Sequence, residues 1–484
     1  MSQIVLTDVQ KQSVKFLLGN ISRKMGCLLS LEMGMGKTLC CVKAIQKLHQ
    51  NDKERFGPFL IVAPPSVLGF WKTEFAKLDF EGNVCIYHSS FKDEIIPIAD
   101  CDVAICSYEG ALACQGDTFN TVIIDEVQEI RNGKTRLFKL FKEKFSKVAG
   151  RVGVTGTPIS NSLMDIYNIF EFLQPRLLGN KGEFRKNYQL VAKRGLATDA
   201  APDHKSRALR QARRLGERIK SYTIHHYKTA KQHFSFDVPV ELTDSQRAAY
   251  DDLDHRPVRK KRRKHTLADG DVVYSESHAT PSARMKALKQ IGEARGILAG
   301  DGCEDTHVSQ FLDEHMDDLL ALGSTAIFFA RLNLMDKTKE FLTNKGVSFV
   351  EVQGSTSAKD RTEAIRAHND GEVKVFLGSE SACGSGISLF TLASMVITSP
   401  NWSPAVTAQV SARGSRPQNK NKIVVYNIYA PETIDDAIVK TNRLKCRIIA
   451  SVLGDLPSDD AVMLAQMNRA RESLRFKRHL ETIQ

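Results

Sequence analysis

The sequence predicts an α/β protein with two parallel-sheet lobes, a helical insert between them and a C-terminal helical brace. Two series of short apolar runs predict the two sheets, because apolar runs that alternate with amphipathic stretches are typical of parallel strands joined by helices. The chain between the two series is polar and helical in pattern, and so is its C-terminal end. These three observations together define the predicted architecture.

The predicted strands of the first series lie at 26–31, 59–65, 103–108, 121–126 and 151–157, and those of the second at 324–330, 347–352, 373–379, 393–399 and 422–428. The predicted domains follow from these positions: a first lobe at 1–175, a helical insert and linker at 176–320, a second lobe at 321–432 and a helical brace at 433–484.

The bulk composition is that of an ordinary globular protein with a basic excess. The chain has 484 residues, 42% hydrophobic and 26% charged, which is enough for two to four domains. Its net charge of +12 favours a polyanionic partner such as nucleic acid, although a basic protein with a solvated surface would show the same excess. The ten cysteines form no CxxC pair, so we expect free thiols in a reducing compartment.

Neither a membrane span nor a signal peptide is predicted. No uninterrupted apolar run reaches membrane-spanning length, and the first residues, MSQIVLTDVQKQ, lack the pattern of a secretory signal. We therefore expect an intracellular protein with no membrane partner.

The stretch LEMGMGKT, at 31–38, predicts a phosphate-binding loop. It follows a predicted strand and opens a predicted helix, where backbone N–H groups and the helix dipole favour an anion. Gly34 and Gly36 would let the backbone approach phosphate, Lys37 would reach the β- and γ-phosphates, and Thr38 would hold Mg²⁺. A plain glycine-rich turn is the alternative, since Leu31 stands where the strict pattern has glycine.

The stretch VIIDEVQ, at 122–128, predicts a pair of carboxylates at the carboxyl edge of the first sheet. Because adjacent residues of a strand point to opposite faces, we expect the roles to divide. Asp125 would anchor Mg²⁺, and Glu126 would be the general base that orients the attacking water. A solvated acidic turn is the alternative, and the preceding phosphate loop favours the metal site. Further on, Thr155 and Thr157 flank a glycine at a strand end, where their hydroxyls can bridge elements.

The stretch QVSARGSRPQ, at 409–418, places two arginines three residues apart in a run of small residues. Guanidinium groups bind planar or tetrahedral anions through paired N–H donors, so Arg413 and Arg416 predict a bound anion. A basic surface loop is the alternative.

In this order the motifs resemble those of helicase superfamily two, and more narrowly those of the Swi/Snf-type ATPases, which translocate on duplex DNA. The similarity extends to further stretches, at 6–18, 61–75, 107–109, 155–175, 240–253, 354–369, 381–397 and 401–404. The resemblance implies two RecA-like lobes that bind ATP and Mg²⁺, and double-stranded DNA as the partner of a monomeric motor. The chain departs from the family at Gln128, where a histidine is usual, and after Arg416, where Pro417 and Gln418 replace the usual ending.

The resemblance also implies roles for individual residues. Gln10 would recognise adenine, Gln128 and Gln409 would contact the nucleotide or its loops, and Arg413 with Arg416 would act on the departing γ-phosphate. The residues implied to contact the DNA backbone, without reading its sequence, are Lys72, Ser107, Tyr108, Ser355, Thr356 and Arg361. Trp402 could stack on a base, but a buried structural residue is the expectation, because duplex DNA offers no free base face.

The function predicted on these grounds is a DNA-dependent ATPase that translocates on double-stranded DNA and remodels or displaces bound proteins, such as nucleosomes or a polymerase. The alternatives are a strand-unwinding DNA or RNA helicase, and a viral nucleoside triphosphatase associated with transcription or DNA packaging. The basic run at 259–264 has three open interpretations: a nuclear-localisation signal, a DNA-contacting loop and a solvated disordered loop. The expected location is the nucleus, or a virion or viral factory for a viral protein.

Overall fold

The computed structural model of the chain describes residues 4–94, 97–160, 162–188, 202–226, 233–255, 261–266, 272–277, 306–383, 387–411, 413–414, 419 and 421–454. Within these residues, no helix has the length and apolar character needed to cross a bilayer. The nine cysteines among them are free thiols, and Cys446 is the exposed one.

The first sheet contains seven described strands, all parallel. In chain order they are β1 (Cys27–Leu31), β2 (Phe59–Val62), β3 (Val84–Tyr87), β4 (Val103–Cys106), β5 (Thr121–Asp125), β6 (Gly150–Thr155) and β7 (Thr223–His226). Their spatial order is β3-β4-β2-β5-β6-β1-β7. The five central strands are those that the apolar runs predicted, and each is buried along its whole length.

Helices cover both faces of this sheet, which explains why its central strands are continuously apolar. The described helices are α1 (Asp8–Ser22), α2 (Lys37–Phe56), α3 (Leu68–Lys77), α4 (Tyr108–Ala111), α5 (Arg136–Phe145), α6 (Leu163–Leu173), α7 (Lys181–Asn187) and α8 (Pro202–Ile219). The alternation along β1 serves two separate cores. Leu28 packs in the cluster that contains α6 and α8, whereas Leu29 and Leu31 pack in the cluster that contains α1 to α3.

The strand β7 was not predicted, and it lies at an edge of the first sheet beside the strand that leads to the phosphate loop. It pairs with β1 in parallel, and the ring Nδ1 of His225 lies 2.8 Å from the hydroxyl of Ser30. The N–H of Glu32 donates to the carbonyl of His226 at 3.1 Å. This short strand therefore ties residues near 225 to the start of the phosphate loop.

The second part of the chain contains a parallel sheet and a separate hairpin. The strands are β8 (His233–Pro239), β9 (Lys261–Thr266), β10 (Val272–Ser277), β11 (Ser324–Phe329), β12 (Phe349–Val352), β13 (Val375–Ser379), β14 (Leu392–Ile397) and β15 (Ile423–Tyr429). The sheet has the order β12-β13-β11-β14-β15-β8, and β9 pairs with β10 in antiparallel register. The five predicted strands of the second series are all present, so the prediction of two parallel sheets is confirmed.

The helices of this part are α9 (Asp244–His255), α10 (His307–Leu322), α11 (Leu332–Asn344), α12 (Ala358–Asn369), α13 (Glu380–Cys383), α14 (Pro404–Ser411) and α15 (Ile434–Leu453). The second core packs Phe328, Phe376 and Val425 from three strands of the sheet, β11, β13 and β15. Residues 455–484, the end of the predicted brace, lie outside the described residues.

The chain divides into two compact units. The first comprises Met1–Lys231, Ser403–Ala405 and Arg443–Gln484, and the second comprises Gln232–Trp402 and Val406–Asn442. The described residues of the predicted insert at 176–320 are shared between these units and include strands as well as helices. Residues 261–264 of the basic run lie in β9. The first two residues of the run, 259 and 260, lie outside the described residues.

Within the first unit, the end of α15 packs against α8 at a glycine. Leu215 of α8 is buried in the same cluster as Ile448 and Val452 of α15. A Cβ atom on Gly216 would lie 2.3 Å from the carbonyl oxygen of Val452, so only glycine allows the two backbones to approach this closely.

We expect Gly216→Ala to destabilise the first unit, because the added methyl group meets backbone that cannot rotate away. Overpacking of this kind costs on the order of 1–3 kcal/mol, measured as the free energy of unfolding in urea. Gly19→Ala on α1 is the matched control, since a Cβ at Gly19 meets no atom within 4 Å. Alanine is the better helix former, so the control is expected to stabilise the protein by up to about 1 kcal/mol. Equal stability of both variants would contradict the close approach at Gly216.

Candidate active site

The predicted phosphate loop lies between β1 and α2, as its sequence context requires. Gly34 and Gly36 both have φ of 80°, in the left-handed region that favours glycine. Gly36 is the N-cap of α2 and provides no side-chain cap for the helix. The first N–H groups of α2 are therefore oriented as an anion site of the kind found at helix N-termini.

Gln10 lies against this loop rather than apart from it. Its Nε2 donates to the carbonyl of Met35 at 3.1 Å, and its Oε1 accepts from the N–H of Thr7 at 2.9 Å. A Cβ on Gly36 would lie 2.5 Å from the same Nε2 atom, so the glycine also makes room for the glutamine. Gln10 thus braces the loop in this structure, and its predicted recognition of adenine stays a prediction.

Lys37 begins α2 and extends across the end of β1. Its Nζ donates to the carbonyl of Leu31 at 3.0 Å. A Cβ on Gly156 would lie 3.5 Å from the same Nζ, which places the lysine beside the turn that follows β6. In that turn the N–H of Thr157 donates to the buried hydroxyl of Thr155 at 2.9 Å. The hydroxyl of Thr155 therefore shapes its own turn and does not bridge to another element by that bond.

Asp125 is the last residue of β5 and is 9% exposed. One carboxylate oxygen, Oδ2, accepts from the indole N–H of Trp71 at 3.0 Å, and the other, Oδ1, accepts from the backbone N–H of Glu126 at 3.0 Å. Burial raises the pKa of Asp125 to about 6, and the charge of Glu126 adds to the rise. The Trp71 bond and the charge of Lys37 oppose it, which places the lysine near the carboxylate.

Glu126 follows the strand in a left-handed backbone conformation, with φ of 52° and ψ of 50°. Positive φ is uncommon for a residue with a side chain, and it costs energy that surrounding contacts must offset. We expected strand alternation to point the two carboxylates to opposite faces. Because β5 ends at Asp125, the left-handed turn at Glu126 separates them instead, and that expected reason is wrong. The carboxylate of Glu126 accepts from Nε2 of Gln128 at 2.5 Å.

Tyr108 stabilises the backbone of this acidic turn through hydrogen bonds from its hydroxyl. Its hydroxyl lies 2.5 Å from the carbonyl of Asp125 and 2.9 Å from the carbonyl of Glu126, and its ring is 7% exposed. Ser107 is buried and caps α4, with its hydroxyl accepting from the N–H of Gly110 at 3.1 Å. The structure therefore gives both residues partners inside the first unit, while their predicted DNA contacts stay predictions.

The residues that would hold Mg²⁺ fit that ion. Mg²⁺ prefers hard oxygen ligands, keeps several waters and is usually held by one or two carboxylates together with substrate phosphates. Asp125 offers a buried carboxylate, and Thr38 offers a hydroxyl in the first turn of α2. Burial raises the pKa of Asp125, and a bound cation would favour its charged form.

The predicted site residues of the second unit are partly described. Arg413 is 2% exposed and follows α14. Its backbone N–H donates to the carbonyl of Val410 at 3.0 Å. Gln409 is half-buried on α14, and Arg416 lies outside the described residues. Burial raises the pKa of Cys383 to about 12, opposed by the charges of Arg361 and Arg413.

The remaining predicted DNA contacts occupy different environments. Ser355 is exposed, Thr356 is half-buried and its hydroxyl accepts from the N–H of Gln353 at 2.9 Å, and Lys72 is half-buried on α3. Trp402 is 39% exposed, so the expectation of a buried structural residue is wrong. It lies in the short stretch after β14, where the ring is not enclosed by a core.

Sequence reasoning missed the supporting residues of the acidic pair. Trp71 carries a buried indole N–H, and a buried indole usually finds an acceptor, but the sequence does not say which one. Tyr108 was assigned to the DNA surface, although its position directly after a buried strand favours an inward ring.

Comparison with known proteins gives two family matches in chain order. Residues 9–294, more than half of the chain, match the SNF2-related domain, and residues 309–418 match the Helicase conserved C-terminal domain. Among curated proteins, the ISWI chromatin-remodeling complex ATPase ISW2 of Saccharomyces cerevisiae is 25% identical over 92% of this chain and 40% of its own length. The SWI/SNF-related matrix-associated actin-dependent regulator of chromatin subfamily A member 1 of Homo sapiens is 24% identical over 98% of this chain and 46% of its own.

An uncharacterized ATP-dependent helicase of Mycoplasma pneumoniae is similar at the same level, 24% identical over 93% of this chain and 42% of its own length. The chain therefore spans less than half the length of these three relatives. Among solved structures, the Sulfolobus solfataricus SWI2/SNF2 ATPase core in complex with dsDNA is 20% identical, covers 93% of this chain and 94% of its own, and superposes with a TM-score of 0.42.

We expect Tyr108→Phe to weaken both the fold and the site, because the carbonyls of Asp125 and Glu126 lose the hydroxyl donor that holds the left-handed turn. The loss of a buried hydrogen bond should lower the free energy of unfolding by about 1–3 kcal/mol, measured in urea. Tyr87→Phe is the matched control, since its hydroxyl contacts the thiol of Cys101 away from the acidic turn. A variant at Tyr108 that is as stable and as active as the control would show that the turn needs no such support.

Proposed function

Because this chain belongs to the SNF2-related family of ATP-hydrolysing enzymes in helicase superfamily two, we propose that it is a DNA-dependent ATPase that translocates on double-stranded DNA. The observation that carries the proposal is the pairing of an uncapped helix N-terminus with a buried carboxylate. Lys37 stands at the start of that helix, and its charge acts on Asp125.

The first unit supplies the nucleotide-binding and water-activating groups. The N-terminus of α2 and Lys37 would bind the phosphates, and Thr38 and Asp125 would hold Mg²⁺, which when bound neutralises charge on the phosphate oxygens. Glu126 would orient the attacking water and accept its proton, since its carboxylate is half-buried and aligned by Gln128. The bonds from Trp71 and from the Glu126 N–H restrict the rotation of Asp125.

The second unit would supply positive charge to the reaction. Arg413 and Arg416 are the candidates, because guanidinium stays charged even when buried and binds phosphate oxygens through paired donors. The burial of Arg413 in this structure is consistent with a group that is held in a defined orientation.

Double-stranded DNA is the proposed track, and the net charge of +12 favours such a polyanion. Lys72, Ser355 and Thr356 would contact its phosphates without reading base sequence. Two of the curated relatives are named as chromatin remodellers or regulators, which supports nucleosomes as an object that the motor displaces and the nucleus as its location.

The experiment that tests this proposal measures ATP hydrolysis with duplex DNA, single-stranded DNA, RNA or no nucleic acid. We expect duplex DNA to stimulate most, and stimulation to fall steeply with salt because phosphate contacts release counterions. Lys37→Ala should abolish hydrolysis by weakening phosphate binding, whereas Glu126→Gln should abolish hydrolysis and still bind ATP. Stimulation by RNA or single strands alone would favour an unwinding helicase, and an equal rate with and without nucleic acid would reject DNA dependence.

We expect Arg416→Lys to lose hydrolysis while keeping duplex affinity, because the charge survives but the paired donors of guanidinium do not. Catalytic arginines of this kind contribute about 10³-fold or more to phosphoryl transfer, so the loss should be at least tenfold in kcat. Lys420→Ala, which removes a charge four residues further on, is the control. Near-normal kcat in the lysine variant would remove Arg416 from the catalytic residues.

A further inference from the structure

Trp71 links the outer surface of α3 to the candidate magnesium ligand. Its ring is 0% exposed, and its indole N–H donates to Oδ2 of Asp125 at 3.0 Å across 54 residues of sequence. Indole nitrogen is a donor only, so the bond requires a lone pair on that carboxylate oxygen. The bond therefore fixes which side of the carboxylate remains open for another partner.

The residues on either side of Trp71 are more exposed than its ring. Phe70 is 51% exposed, and Lys72 is half-buried and is a candidate contact to the DNA backbone. Leu68 and Phe75, on the same helix, are buried with Trp71 in the core. One helical turn thus presents a candidate nucleic-acid contact outside and a hydrogen bond to Asp125 inside.

A bulky ring enclosed in a close-packed core cannot change its position independently of its helix. A small movement of α3 therefore moves the indole N–H relative to Oδ2 of Asp125. A buried tryptophan could find an acceptor on many backbone carbonyls. Here the acceptor is the side chain of the candidate magnesium ligand.

We propose that Trp71 is a positioning residue that transmits the engagement of DNA by the outer face of α3 to the orientation of the Asp125 carboxylate. The inference rests on the proposed function, since it specifies how duplex DNA would stimulate the site. Lys72 and Trp71 are adjacent in sequence. A DNA phosphate bound by Lys72 would therefore be connected to the Asp125 carboxylate through the backbone of α3 and the one hydrogen bond of Trp71.

The first test is Trp71→Phe, which keeps a buried aromatic ring and removes the N–H. We expect the variant to bind duplex DNA as the wild type does, to lose about tenfold in DNA stimulation of hydrolysis, and to need more Mg²⁺ to bind a fluorescent ATP analogue. Phe75→Leu is the matched control, because Phe75 is 2% exposed on the same helix, packs on Phe80 and has no side-chain donor for Asp125. An equal loss in both variants, or no change of the magnesium requirement in Trp71→Phe, would overturn the proposal.

The second test uses fluorescence, because the chain has two tryptophans and Trp402→Phe leaves Trp71 as the only one. In that background, Mg²⁺ with nucleotide should change the Trp71 emission, since its hydrogen-bond partner acquires a cation. Duplex DNA without nucleotide should also change it, and Lys72→Ala should reduce this response. Emission that is unaffected by duplex DNA, in a protein whose hydrolysis DNA does stimulate, would overturn the coupling.

The two tests separate this inference from the proposed function. If duplex DNA does not stimulate the wild type at all, DNA dependence fails, and the coupling role of Trp71 fails with it. The magnesium requirement of Trp71→Phe then still decides whether Trp71 positions Asp125.

Discussion

The left-handed turn at Glu126 is the constraint on which the candidate site depends. The strand β5 delivers Asp125 to the edge of the sheet, and the turn then sets the direction of the Glu126 side chain. Such a conformation persists only where neighbours stabilise it. The hydroxyl of Tyr108 bonds the carbonyls on both sides of the turn, and the N–H of Glu126 bonds back to the Asp125 carboxylate. The acidic pair is thus oriented before any ligand arrives.

The same site carries a stability cost that a bound cation would relieve. Asp125 is buried beside Glu126, and burial is the main reason that its pKa rises to about 6. A carboxyl whose pKa is higher in the folded than in the unfolded chain favours the folded state when protonated, and that contribution is lost as the pH rises through the folded value. At neutral pH, the protein without ligands therefore holds an unfavourable charge where the metal would bind.

The central strands of both sheets were predictable because they are buried on both faces and so appear as continuous apolar runs. The strands β3, β7 and β8 were missed, and each lies at a sheet edge. β7 and β8 carry polar residues such as His225 and Asp237, and β3 has only four residues. Lys37 and Asp125 were assigned from two short motifs and their order along the chain, and their roles stay predictions. The bonds from Trp71 and Tyr108 did not, because they join residues 54 and 17 positions apart through the fold.

The pairing of β7 with β1 has an evolutionary consequence. His225 and Ser30 are 195 residues apart in sequence, yet their side chains share a hydrogen bond next to the phosphate loop. A change at either position removes this partner from the other, and Ser30 is fully buried, where an unsatisfied polar group is costly. The two positions should therefore co-vary among relatives, so that chains with a larger or charged residue at 225 carry a different residue at 30. Selection on the phosphate loop would then also act on the residues of β7.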